Sequence, residues 1–130
     1  MAEDRAVAKK YPDQLDHIKT FQQMLANGQP MTMKAFGSLH HANATDGALD
    51  AKTKELIALA IAVTVRCDGC IAFHTHDALL AGATEEEIMD ALGVAMLMGG
   101  GPSMIYATHV VEAVKQFKEV MDKPKQAIAV

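Results

Sequence analysis

The chain has no tryptophan, two tyrosines and four phenylalanines, so aromatic residues make up only 5% of its 130 positions. Aromatic and β-branched strand formers are scarce beside alanine, methionine and leucine, which are helix-forming material. There is no basic surplus either. The formal net charge is −4, the pI lies near 5.8, and the lysines are spread out rather than massed. Nothing is available to neutralise a run of phosphates, so nucleic acid is not an expected partner. The start, Met1-Ala-Glu-Asp-Arg, lacks the apolar run of a signal peptide. The longest uncharged stretch, Ala91 to Val111, could span a bilayer by length, but Gly99-Gly100-Gly101-Pro102 interrupts it. Two packed helices joined by a turn are expected there, with no membrane partner and a cytoplasmic location. Cysteine is nearly absent. Its two copies, Cys67 and Cys70, stand close together, which in a cytoplasmic protein reads as redox or metal chemistry.

What remains is material for helices around one core, since 130 residues leave no room for a second. The expected fold class is all-α: a single compact domain over 1–130, of five to six helices, with a core from about 13 to 121 and loose tails. Asp13 is a candidate cap for a helix carrying Leu15, Ile18, Phe21 and Leu25, and Gly28 ends it. A second helix is expected from Pro30 to about Asn43, then a turn at Thr45-Asp46-Gly47. Asp50 caps a third, from Ala51 to about Arg66, whose second half, Leu56 to Val63, is apolar on every side. A helix apolar all round must be buried all round, and a chain this small has difficulty enclosing one alone. Subunit association is therefore expected. A further helix should run from about Asp68 to Ala81, with Gly82 as its stop. Thr84 and Glu87 form a capping box for Glu85 to Met98. Pro102 opens the last helix, to about Met121, with Ile105, Val110, Val111, Val114 and Phe117 as its buried stripe.

The chemistry concentrates between Glu55 and His74. With Cys67 at a helix start, Cys67, Cys70 and His74 are spaced three and four apart and line one face. Two cysteines so placed can close a disulfide with little backbone movement. The unpaired N–H groups and positive dipole end of the helix favour a thiolate. A free thiol of pKa about 8.5 is only ~3% thiolate at pH 7, whereas a pKa about two units lower gives roughly 75%. His74, one turn past Cys70, can accept the thiol proton, and Glu55 on the preceding helix is the candidate carboxylate to orient the imidazole.

Glu55, eleven residues, Cys67-x-x-Cys70, three residues and His74 resembles the signature of the AhpD-like (alkylhydroperoxidase D-like) branch of the carboxymuconolactone decarboxylase superfamily. Lys54-Glu55-Leu-Ile-Ala-Leu-Ala before the motif and Ala81-Gly82-Ala83-Thr84-Glu-Glu-Glu-Ile after it extend the likeness over about Asp46 to Val114. The resemblance implies an all-helical fold assembled as trimers or hexamers, and reduction of peroxides by thiols. It makes Cys70 the peroxidatic cysteine and Cys67 the one that resolves its sulfenic acid as a Cys67–Cys70 disulfide. Glu55 and His74 become the proton relay, and an external dithiol the reductant, with no bound cofactor or metal. In the best-studied type a second histidine sits between the cysteines. Here Gly69 stands at that position, after Asp68.

Three other functions fit parts of the pattern. One is decarboxylation of a cyclic lactone acid, the other branch of the superfamily, which needs no thiols. Another is a metal site of Cys67, Cys70, His74 and His76, although ligands strung along one helix enclose an ion awkwardly. The third is a redox sensor without turnover. His76 and Asp77 are expected at the surface or a subunit contact. His40, His41 and His109 default to hydrogen-bonded core or interface histidines, with His109 able to reach the site from the last helix. The glycine run suits close helix approach or a pocket wall.

Overall fold

Six helices make up the architecture in a computed structural model that describes residues 10–122: α1 Lys10–Gly28, α2 Pro30–Asn43, α3 Ala51–Thr64, α4 Asp68–Leu80, α5 Glu85–Gly99 and α6 Gly101–Met121. No strand occurs among the described residues. Helices α3 to α6 pack on one another around Leu59, Ile71, Ile88 and Val110, all fully buried, while α1 lies across α4 and α6. Burying each such side chain contributes about 1.5–3 kcal/mol.

The caps fall where the sequence puts them. Asp50 accepts from the Thr53 amide at 2.8 Å, and Thr84 and Glu87 close a reciprocal capping box at 3.1 and 2.9 Å. Gly82, at φ +95°, reverses the chain after α4, its amide bonding Leu79 O and the Ala83 amide bonding Ala78 O. The same pair of bonds ends α3, but there the left-handed residue is Arg66, at φ 59°. Its amide bonds Val63 O and the Cys67 amide bonds Ala62 O, which is the Schellman pattern without its usual glycine. This turn stops α3 at Thr64, two residues short of the expected end, and delivers Cys67 directly to the N-cap of α4.

Two expectations are corrected, the start of α1 and the buried stripe of α6. Helix α1 begins at Lys10, ahead of Asp13, because Tyr11 is wholly buried against α6: its backbone amide donates to Gln116 Oε1 at 2.8 Å. Positions 1–9 and 123–130, where the expected tails mostly fall, lie outside the described residues. Within the single chain α3 is not enclosed all round. Leu59, Ala62 and Val63 are buried, but Ile57 and Ile61 are about half exposed, at 45% and 54%. On α6 the buried stripe is Ala107, Val110, Ala113, Val114 and Phe117, and Ile105 and Val111 face outward. In both helices the apolar girth exceeds what five neighbours can cover. Helix α2 is the extreme case, with no buried residue and with Met31, Phe36 and Leu39 exposed.

The glycine run does join two closely approaching helices. A Cβ on Gly99 would stand 2.8 Å from Ser103 Cβ, and Gly100, at φ 72°, is the single residue linking α5 to α6.

Candidate active site

Helix α4 carries the site at its first two turns. Cys67 and Cys70 form a disulfide, with Cα atoms 5.2 Å apart, well inside the range that such a bond spans without backbone distortion. Cys67 Sγ also serves as the N-cap acceptor, receiving the Cys70 backbone N–H at 3.2 Å. In the reduced protein the same N–H and the helix dipole favour a thiolate at this sulfur. Cys70 is half-buried against the core.

One turn on, His74 Nδ1 lies 2.7 Å from Glu55 Oε1. A carboxylate can only accept, so Nδ1 carries the hydrogen and Nε2 keeps its lone pair as a base. Glu55 is buried although it sits beside two lysines in sequence. Those lysines are engaged elsewhere: Lys52 with Glu87 at 2.8 Å, and Lys54 with the Thr45 carbonyl at 2.9 Å. The helix-packing contact between α3 and α4 turns Glu55 inward, where a carboxylate needs a partner and His74 supplies it.

Glu55 and His74 together close one end of a cleft of about 370 Å³ between α2 and α3. Phe36, Leu39, Ile57, Ala58 and Ile61 form its apolar walls, and His40, Asn43 and Lys54 lie at its polar edge. Such a space suits a small, mainly apolar molecule presenting one polar group to the imidazole.

A second carboxylate–imidazole pair lies at the start of α4. Asp68 Oδ1 receives His109 Nδ1 at 2.7 Å and the Tyr11 hydroxyl at 3.3 Å. Burial, helped by the charge of Asp68, pushes the Tyr11 phenol well above its usual pKa and keeps it a donor. The sequence allows His109 to reach the site from the last helix, but it does not name Asp68, 41 residues away, or Tyr11 as its partners.

Of the remaining candidates, His76 bonds Asp77 at 2.9 Å and meets the Phe117 ring edge-on. His40 lines the cleft and His41 lies in the last turn of α2. The alternative metal set of Cys67, Cys70, His74 and His76 is not assembled, because the sulfurs bond each other and His76 turns to Phe117. Among the described residues, the group whose donor atoms come within 4.8 Å of one another is Glu55, His74 and Asp77. There Glu55 and His74 already satisfy each other and Asp77 is held by His76.

The sequence profile of the carboxymuconolactone decarboxylase family matches residues 30–113, from α2 into α6. The chain belongs to the carboxymuconolactone decarboxylase family. Its crystallographic relatives include apo-lpg0406, a family protein from Legionella pneumophila. That protein is 44% identical, with a TM-score of 0.81 over 84% of this chain and 97% of that one. A family protein from Thermotoga maritima, for which a part in the antioxidative response has been suggested, is 34% identical. Its TM-score is 0.65 over 70% of this chain and 94% of that one. An uncharacterized protein of Cupriavidus necator is 45% identical over 84 residues, 65% of this chain and 74% of its own length. No helix among the described residues is long and apolar enough to cross a membrane.

Proposed function

We propose that this member of the carboxymuconolactone decarboxylase family is a thiol peroxidase that reduces organic hydroperoxides through a Cys67–Cys70 disulfide cycle. The observation that carries the reading is the disulfide at the start of α4 one turn before a His74 already oriented by Glu55. The antioxidative role suggested for the Thermotoga maritima relative points the same way. Cys70 is the peroxidatic residue, because His74 follows it by four residues on the same helix face. His74 Nε2 takes the Cys70 thiol proton, the thiolate attacks the peroxide O–O bond, and the alkoxide leaves with a proton from the imidazolium. The product is a Cys70 sulfenic acid. Cys67 then displaces water from it, and an external dithiol reduces the resulting disulfide.

The apolar cleft supports an organic substrate over hydrogen peroxide, since its walls reward a hydrocarbon body beside the Glu55–His74 pair. Self-association as a trimer or hexamer belongs to the same reading. The exposed apolar faces of α2 and α3, and Leu80, Leu97 and Met98, are what a partner subunit would cover. A cytoplasmic site of action, with a dithiol supply at hand, completes it.

The test separates the two sulfurs. Cys70→Ser should abolish turnover of cumene hydroperoxide. Cys67→Ser should allow one turnover and leave a sulfenic acid on Cys70 that dimedone captures. Turnover surviving in Cys70→Ser contradicts the reading. Release of carbon dioxide from a carboxylated lactone by a protein with both cysteines replaced would make it a decarboxylase instead.

A further inference from the structure

The Glu55–His74 pair serves one sulfur of the disulfide, and the chain holds a second carboxylate–imidazole pair of the same length beside the other. Asp68 follows Cys67 directly, and its Oδ1 receives His109 Nδ1 at 2.7 Å. His74 follows Cys70 by four residues, and its Nδ1 meets Glu55 Oε1 at the same 2.7 Å. The position between the cysteines could not itself carry an imidazole without disturbance, because a Cβ on Gly69 would lie 3.1 Å from Ile18 Cδ1 of α1. Helix α1 covers that spot, and the second imidazole arrives from α6.

We propose that Asp68 and His109 are the acid–base pair of Cys67. They accept its proton when it closes the disulfide and return it when the disulfide is reduced. Asp68 fixes the tautomer: its carboxylate takes the Nδ1 hydrogen and leaves Nε2 as the base. In closure the Cys67 S–H proton passes to Nε2, and the sulfur's electron pair forms the bond to Cys70. The Cys70 S–O bond breaks and the oxygen leaves as water, its second proton coming from solvent. In reduction the external dithiol supplies two electrons, becomes a disulfide itself, and His109 gives its proton back to Cys67. Asp68 acts through His109 and is a positioning residue. The titratable groups against the pair are Tyr11 on α1 and Tyr106 on α6; Glu112 on α6 acts on Tyr11, and Cys67 precedes Asp68 in the chain.

The proposal rests on the thiol–disulfide reading, so its test avoids peroxide. Iodoacetamide alkylation rates would be followed against pH in two single-thiol proteins, Cys70→Ser for Cys67 and Cys67→Ser for Cys70, each with and without His109→Asn. An asparagine amide can still donate to Asp68 but cannot take a proton, which separates packing from acid–base chemistry. Expected is an approximately tenfold slower alkylation of Cys67 at pH 7, its pH profile moving upward by about one unit towards that of a free thiol, and a Cys70 rate within about twofold. Asp68→Asn should shift Cys67 in the same direction and by less. An unchanged Cys67 profile in His109→Asn overturns the proposal, and so does an equal slowing of both cysteines. A wild-type protein that fails to consume peroxide removes the peroxidase reading while the alkylation contrast still decides the role of His109.

Discussion

Glu55–His74 and Asp68–His109 are each a carboxylate on an imidazole at the same distance, and they differ in what surrounds them. The first faces an open apolar cleft. The second meets the Tyr11 hydroxyl on one side and the Tyr106 ring, 4.6 Å from that of His109, on the other. The two imidazoles are equally accessible, and Asp68 is more exposed than Glu55. What separates the pairs is therefore their neighbours: an apolar cleft beside the first, and the protein's own hydroxyl and aromatic ring beside the second. A base beside a cleft can act on an incoming molecule and on its leaving group, which the second pair is not placed to do.

This separation can be broken by removing the charge that orients one base. Glu55→Gln should slow the first oxidation of Cys70 by about 10²–10⁴-fold, the usual worth of a positioned acid–base group. Rapid-mixing measurement of the peroxide burst would show this, and His109→Asn should leave that burst alone. The cleft is the next lever. Phe36→Ala removes an apolar wall and should raise KM for cumene hydroperoxide about tenfold, leaving hydrogen peroxide turnover within twofold.

Tyr11→Phe tests the second pair. It deletes the hydroxyl bound to Asp68 and should cost about 1 kcal/mol in urea unfolding at pH 7. The folded phenol pKa is raised above its ordinary 10.0. That stabilisation is therefore fully present below pH 10 and is lost as pH rises towards the folded value, because the unfolded chain ionises first. The deficit of Tyr11→Phe should accordingly shrink in alkaline solution. A deficit that grows there would contradict the assignment.

The smallest effects are on stability beside the site. Thr75, next to His74, is fully buried, and its hydroxyl has no hydrogen-bond partner. Thr75→Val should raise stability by about 1 kcal/mol without touching either pair. Arg66→Gly should yield a similar gain by relieving a left-handed backbone at the entry to Cys67.

The two pairs also differ in how much the sequence reveals. Glu55, Cys67, Cys70 and His74 lie on, or cap, consecutive helices separated by three residues, so their spacing alone brings them together. The caps at Asp50 and Thr84 and the stop at Gly82 are local chemistry and were legible for the same reason. For His109 the reach from the last helix was legible but the partner was not, because its approach to Asp68 depends on where α6 crosses α4, which no local pattern encodes. Tyr11 falls within the expected loose tail, because what holds it, Gln116, is more than a hundred residues away and no local pattern shows it. Ile57 and Ile61 mark a different boundary. Apolar periodicity states what a helix can bury, and the neighbours of one chain do not suffice to bury it.

The central claim, that Cys67 and Cys70 are a peroxide-driven couple, is tested most directly by counting thiols. The fully reduced protein would be mixed with one equivalent of cumene hydroperoxide while peroxide and free thiol are followed together. The account requires the loss of two thiols per chain, one peroxide consumed and cumyl alcohol formed. Two thiols persisting for minutes beside unconsumed peroxide would contradict it.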